Sequence, residues 1–228
     1  QGPVMADVNG RTTKPAKPTG RTASREVRRQ QLIEATIESI AKHGISGTTM
    51  TTVTGFAGLS LGIVNFHFQN KQNLYEETLR HLADEHRDQW LKSVQKAELT
   101  PVAKLLAIVD ANFHPRICNR KNLSVWYSFF GEAPYRHVYR KIMDEIDAER
   151  LNSMRELFER IIEDGQYDDI DAADVANTME ALYDGYSINI LIYPEKFSGA
   201  DAKIRIRDFL ANTFPRHFDP PSGKACGT

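Results

Sequence analysis

One short segment constrains the fold of this chain more than any other. Residues 48–59 are rich in threonine and end on the turn Ala57-Gly58-Leu59, and a second helix-forming run follows from Leu61 to Lys71. Because glycine adopts positive φ without strain, such a turn can join two short helices at a steep angle. Ser60 stands where it can cap the second helix. The segment therefore predicts a helix-turn-helix, whose second helix can be laid into the major groove of DNA.

The rest of the chain has a helical hydrophobic period almost throughout. No alternating strand pattern and no internal repeat interrupts it. Caps, prolines and glycines predict an all-α fold of about nine helices: the two of the helix-turn-helix and seven others near residues 24–43, 70–96, 100–115, 119–132, 134–164, 171–193 and 198–214. We expect the small core between helices 2 and 3 to be filled by Met50, Val53, Ala57, Ile63 and Phe66.

The N-terminal motifs also resemble a known family. They run from His43-Gly44 through Thr48-Thr49-Met50, Ala57-Gly58-Leu59-Ser60, Gly62 and His67-Phe68 to Lys71, and together they are similar to the DNA-binding domain of TetR-family transcriptional repressors. In that family a glycine follows helix 1, Thr-Thr opens helix 2, and a His-Phe pair and a lysine mark the step into helix 4. The resemblance implies an N-terminal three-helix DNA-binding domain and a C-terminal helical domain that binds a ligand and dimerises.

Charge is unevenly distributed along the chain. Residues 1–31 contain seven basic and two acidic side chains and carry +5, whereas the remaining residues carry −6. A basic, Pro/Gly/Thr-rich arm cannot pack, but it can neutralise DNA phosphates. We therefore expect a disordered basic arm at 1–23, a helix-turn-helix domain at 24–72, an effector-binding and dimerisation domain at 73–216 and a flexible tail at 217–228.

The predicted DNA contacts fall into two groups. Short hydroxyls near free backbone amides and basic or imidazole side chains suit phosphates, whereas an amide can pair with adenine and an aliphatic side chain can touch a thymine methyl. The phosphate group comprises Arg25, Arg28, Thr49, Thr51, Thr52, His67 and Lys71. At the recognition helix, Ser60 is expected to cap the first turn and is counted among the DNA-binding residues, and the base-reading group comprises Leu61, Gly62 and Asn65. Thr49 could instead only cap helix 2, and His67 could only pack.

Other functional classes find little support in the sequence. It has no nucleophile elbow, no phosphate-cradling glycine loop and no clustered Cys/His ligands, so we expect neither an enzyme nor a cofactor or metal site. The spacing of His81 and His86 is wrong for a zinc pair on one helix face. Apolar runs such as residues 187–193 fall far below the roughly 20 residues that span a bilayer, so we expect a cytoplasmic protein without membrane contact. Cys118 and Cys226 are expected to be free thiols.

The C-terminal half concentrates aromatic residues near acidic ones. Trp126, Phe129 and Phe130 share one face of a helix, Tyr183 and Tyr186 lie on another, and Asp110 is among the nearby acids. Ring faces attract quaternary ammonium cations. These six residues are therefore the candidate ligand site, although aromatics at such spacing more often simply form a core.

This half also resembles a narrower group. Residues 124–130, 134–140, 147–151 and 181–185 are similar to the C-terminal domain of BetI-type repressors, which control choline-to-glycine-betaine genes and respond to choline. Trp126 matches the tryptophan of that motif. The resemblance implies choline, or another cationic or amphipathic compound, as effector. Apolar residues of the last two long helices predict a homodimer on a four-helix interface.

The sequence thus predicts a ligand-responsive repressor that binds a pseudo-palindromic double-stranded DNA operator as a homodimer. The expected mechanism is a population shift, in which the effector favours a dimer with mis-spaced recognition helices and helix 4 carries the change. Two alternatives remain open. One is a TetR-type regulator of other metabolic or efflux genes with a different effector, and the other is a helical dimerisation protein that does not bind DNA.

Overall fold

The computed structural model describes residues 24–96 and 98–219, which form nine α-helices and no strand, so the predicted all-α fold is confirmed. The helices are α1 (Arg25–Gly47), α2 (Met50–Ala57), α3 (Leu61–Phe68), α4 (Lys71–Val94), α5 (Pro101–Asn112), α6 (Arg120–Gly131), α7 (Arg136–Gly165), α8 (Ala172–Ile192) and α9 (Gly199–Thr213). A 3-10 turn, Ala133–Tyr135, precedes α7. The predicted arm at 1–23 and residues 220–228 of the predicted tail lie outside the described residues.

Side-chain caps set the starts of most helices. The Asn70 side chain accepts a hydrogen bond from Asn73 N (2.9 Å) at the start of α4, and the Thr100 hydroxyl accepts one from Ala103 N (3.2 Å) ahead of Pro101. Such caps satisfy amides that the first helical turn leaves without partners. Ser60 occupies the predicted cap position of α3, but its side chain makes no capping hydrogen bond.

The predicted end of the first helix is a kink. Gly44 has φ +71°, and one further turn continues to Gly47 before α2 begins. The Tyr75 hydroxyl, buried on α4, lies 2.9 Å from Ile45 O and 3.1 Å from Thr48 O. This contact ties α4 to the junction between α1 and α2.

Two hydrophobic cores organise the molecule. The first core joins α1–α4 with residues of α6 and α7, including Val125, Phe129 and Ile142. The second core joins α5–α9 around large buried side chains such as Phe158 and Phe214. Helix α6 therefore packs against α1, and α7 packs against α4, while both also pack against C-terminal helices.

The expected burial of Phe66 is wrong. Val53 and Val64 are fully buried between α2 and α3, and Phe68 is almost so, but Phe66 is 68% exposed. In an eight-residue helix only one face meets the core, and Val64 and Phe68, four residues apart, occupy that face. Phe66 lies between them in sequence and therefore points outwards.

Candidate functional site

Hydrogen bonds cap the start of α2 and tie its last residue to α1. The Thr49 and Thr52 side chains form a reciprocal capping box, accepting from the other residue's amide at 3.1 and 2.8 Å. Gly58 has φ +63°, the left-handed conformation that ends α2. Gln31 of α1 donates to Ala57 O at 2.7 Å. The end of α2 is therefore tied to α1, and the buried Val53 and Val64 pack α2 against α3.

The outer face of α3 carries the predicted base-reading residues. Leu61 is 46% exposed, and Gly62 and Asn65 are exposed beside it. Thr51 is exposed at the start of α2. Because these side chains are not buried in the core, they are sterically available to the major groove of DNA. Phe66, which the sequence analysis placed in the core, is a further member of this surface.

Basic side chains flank the α3 surface. The Arg25 guanidinium lies 5.6 Å from the Phe66 ring centroid, and the Lys71 ammonium lies 5.1 Å from the Tyr75 ring centroid. Arg28 donates to Gln31 at 2.9 Å. Burial, together with the charges of Arg25 and Arg29, lowers the pKa of His67, so its imidazole is neutral at pH 7.

A small cavity opens in the C-terminal half, between α4, α5, α6, α7 and α8. Its volume is about 90 Å³. Three of the predicted ligand residues, Trp126, Phe130 and Tyr183, line it, together with Tyr127. Aromatic rings form its α6 wall, and Tyr139 of α7 backs that wall with centroid distances of 5.9 Å to Trp126 and 4.3 Å to Phe130.

The opposite wall of the cavity is ionic. Arg150, only 7% exposed, donates from Nε and Nη2 to the Glu180 carboxylate at 2.9 and 2.5 Å, and from Nη2 to Asp147 at 3.1 Å. Asp184 also lines the cavity. Burial raises the pKa of Asp147 and of Asp184, because it disfavours the charged form of each carboxyl group.

His86 of α4 completes this wall. Its Nε2 lies 2.9 Å from Asn112 Oδ1. Burial and the charge of Arg150 lower the pKa of His86 to about 4, so the ring is neutral at pH 7. With three carboxylates, one guanidinium and a neutral imidazole, the cavity has an excess of negative charge.

The other three predicted ligand residues are not brought to this cavity. Asp110 pairs with Lys203 (3.2 Å) and Arg207 (3.6 Å) beside α9. Phe129 is fully buried in the first core, 6.1 Å from the Tyr75 ring, and Tyr186 stacks on Phe197 at 5.3 Å.

Conversely, five polar residues that line the cavity were not predicted as site residues from the sequence: His86, Asp147, Arg150, Glu180 and Asp184. The i, i+3 spacing of Asp147 and Arg150 was a signal, but it is equally typical of a solvated helix face. In the portion of the chain that the structure describes, no cluster of three His, Cys, Asp or Glu side chains could hold a metal ion. Likewise, none of the described helices is both long and apolar enough to cross a membrane.

Two family models match separate segments of the chain. Residues 32–78 match the family model "Bacterial regulatory proteins, tetR family", and residues 101–215 match "BetI-type transcriptional repressor, C-terminal". The HTH-type transcriptional regulator BetI of Paraburkholderia phymatum is 37% identical over 132 residues. That match covers 57% of this chain and 65% of the relative, so it spans just under two thirds of the relative's length.

Solved structures share the fold at low sequence identity. A transcriptional regulator from Saccharomonospora viridis in complex with choline is 20% identical with a TM-score of 0.67, covering 80% of this chain and 94% of that one. The regulator FadR from Bacillus subtilis in complex with stearoyl-CoA is 16% identical, also with a TM-score of 0.67, covering 81% and 98%. The same fold therefore accompanies two very different ligands.

Proposed function

Because this chain belongs to the tetR family of bacterial regulatory proteins, with a C-terminal domain of the BetI type, we propose that it is a ligand-responsive DNA-binding repressor. We propose further that its effector is a small cation, with choline as the leading candidate. The observation that carries the effector proposal is the cavity, where aromatic rings of α6 face three carboxylates compensated by one guanidinium.

The α3 surface supports operator binding. Leu61, Gly62 and Asn65 present a short face to base edges, and Lys71 at the start of α4 can contact phosphate. We expect a homodimer on a pseudo-palindrome whose half-sites are about one or more helical turns apart. A helical protein that only dimerised would have no use for a short helix that follows a tight glycine turn and exposes Leu61, Gly62 and Asn65 on its outer face.

Size and charge favour a small cation over an acyl-CoA. The cavity volume of about 90 Å³ is far below the roughly 300–1,000 Å³ typical of pockets for drug-sized ligands. Its excess of carboxylates repels the negatively charged phosphates of an acyl-CoA. A trimethylammonium group, in contrast, gains from ring faces and carboxylates together. Choline is bound by the Saccharomonospora viridis neighbour, which adds support from the same fold.

The proposed mechanism is a population shift between two dimer geometries. A ligand can shift that balance only through a difference in affinity for the two states. Helix α4 follows the recognition helix directly and presents His86 to the cavity. Lys121 of α6 pairs with Glu38 of α1 at 2.6 Å, and Ser46 donates to Glu132 at 3.0 Å, so α6 provides a second bridge.

Calorimetry tests the effector proposal. The ligands are choline, glycine betaine and 3,3-dimethylbutan-1-ol, the neutral carbon analogue of choline. We expect choline to bind and the neutral analogue to bind far more weakly. Trp126→Ala should weaken choline binding about 2- to 30-fold, because a cation–π contact contributes about 0.5–2 kcal/mol, whereas Trp126→Phe keeps a ring face and should cost less.

A gel-shift with DNA from upstream of its own gene tests the operator proposal separately. Effector-free DNA binding should survive both Trp126 variants, because that side chain is on α6, lines the cavity and is not part of the α3 surface. Equal binding of choline and its neutral analogue would refute the cation proposal, and sequence-independent DNA binding would refute the repressor proposal.

A further inference from the structure

Two buried donors in the cavity have no protein partner. Arg150 uses Nε and Nη2 for Glu180 and Asp147, but its Nη1 has no hydrogen-bond partner among the described residues. The Tyr183 hydroxyl, on a residue only 5% exposed, is also unpartnered there. Asn112, whose amide engages His86 at 2.9 Å and Ile108 O at 3.1 Å, lies close enough to lower the pKa of the Tyr183 hydroxyl but forms no hydrogen bond with it.

Unpartnered donors of this kind are rare in folded proteins, because burial removes the water that would otherwise bind them. Both side chains line the same cavity, on the facing helices α7 and α8. We infer that Arg150 Nη1 and the Tyr183 hydroxyl form an oxygen-binding subsite for the effector. This inference rests on the effector class proposed above and adds a second recognition element to it.

The surroundings indicate which oxygen the subsite takes. Asp147, Glu180 and Asp184 repel a carboxylate, and the positive charge of Arg150 is already shared between two of them. A hydroxyl oxygen can accept from both donors without adding negative charge. The effector is therefore a cationic amino alcohol, with its ammonium against the rings of α6 and its hydroxyl between α7 and α8. A zwitterion such as glycine betaine fits less well.

The test compares choline with propyltrimethylammonium, which has the same charge and nearly the same shape but a methyl group in place of the hydroxyl. Both are titrated into the full chain by calorimetry. We expect choline to bind at least about tenfold more tightly, because its analogue leaves buried donors unpaired. Glycine betaine should bind more weakly than choline.

Tyr183→Phe removes only the hydroxyl and should bring the affinity ratio of choline to propyltrimethylammonium down by at least about threefold, with little change for the analogue itself. Arg150→Lys keeps the charge but loses the planar fork, and should lower the same ratio. Tyr193→Phe makes the same substitution at the end of α8, on an exposed ring outside the cavity, and should leave the ratio unchanged. Far-UV circular dichroism establishes that each variant is folded.

The outcomes separate the two proposals. If choline and propyltrimethylammonium bind the wild type equally, the oxygen subsite is overturned while the cation proposal stands. The oxygen subsite is also overturned if the affinity ratio of choline to propyltrimethylammonium is unchanged in both Tyr183→Phe and Arg150→Lys. If no trimethylammonium compound binds, the effector class is wrong and the subsite for it falls as well.

Discussion

The neutral imidazole of His86 makes the stability of this protein depend on pH. Its pKa is lowered to about 4 in the folded chain, because burial and the charge of Arg150 disfavour the protonated ring. In the unfolded chain the ring has its ordinary value near 6.5. Between these two values the unfolded state binds more protons than the folded state, so the free energy of unfolding falls as the pH falls.

The size of this effect follows from the shift. A lowering from 6.5 to about 4 corresponds to about 3 kcal/mol, present in full above pH 6.5 and lost by pH 4. The ring is partly open to the cavity, so screening by solvent makes this figure an upper bound. Asp147 and Asp184, whose pKa values are raised, act in the opposite direction, since they take up protons more readily in the folded state.

Urea unfolding of the wild type and of His86→Gln, followed by tryptophan fluorescence at pH 7, 6, 5 and 4 and fixed protein concentration, isolates the contribution of the imidazole. Carboxylates common to both proteins cancel in the difference. We expect the wild type to lose up to about 3 kcal/mol more than the variant between pH 7 and pH 4. If the two proteins lose the same stability over this range, the assignment of a neutral, buried imidazole is refuted.

Three further predictions concern the DNA surface, the dimer and the first core. Asn65→Ala should change which base is preferred in a base-substitution series, while Lys71→Ala should weaken binding to all sequences and reduce its salt dependence; an unchanged base profile for Asn65→Ala would contradict the readout role. Ile192, 57% exposed on α8, and Ile204, 42% exposed on α9, should lie in the homodimer interface, so light scattering should show a dimer at micromolar concentration and Ile192→Glu should shift it towards monomer; a monomeric wild type would refute this. Phe129→Ala should lower the free energy of unfolding by about 3–5 kcal/mol in urea denaturation, because the ring is fully buried; a loss below 1 kcal/mol would contradict that placement.

The helix boundaries were predictable because capping is a local interaction. The side chains of Asn70, Thr100 and Ser198 each accept a hydrogen bond from the amide three residues later, so the local sequence is enough to predict where the helix begins. The outward direction of Phe66 was not predictable in this way. In a helix of eight residues the apolar pattern permits more than one inward face, and tertiary contacts decide which face is buried.

The ionic wall of the cavity could not be predicted from the sequence for a related reason. Arg150 and Glu180 are 30 positions apart, on different helices, and each alone is indistinguishable from a solvated charge. Only the packing of α7 against α8 makes one the buried partner of the other. The aromatic wall was more accessible, since Trp126 and Phe130 are four residues apart on one helix. The sequence therefore predicted the wall of the cavity that lies on a single helix, and not the wall that two helices form together.

Helix α6 shows why adjacent residues can serve different sites. Phe129 and Phe130 are separated by about 100° around the helix axis, so one is fully buried in the first core and the other lines the cavity. Phe129 meets the Tyr75 ring at 6.1 Å, and the Tyr75 hydroxyl contacts Ile45 O and Thr48 O where α1 gives way to α2. Because a helix moves as a rigid unit, an effector that displaces the Phe130 side of α6 also displaces the Phe129 side. The proposed population shift thus has a route to the recognition helix through α6 in addition to the one through α4.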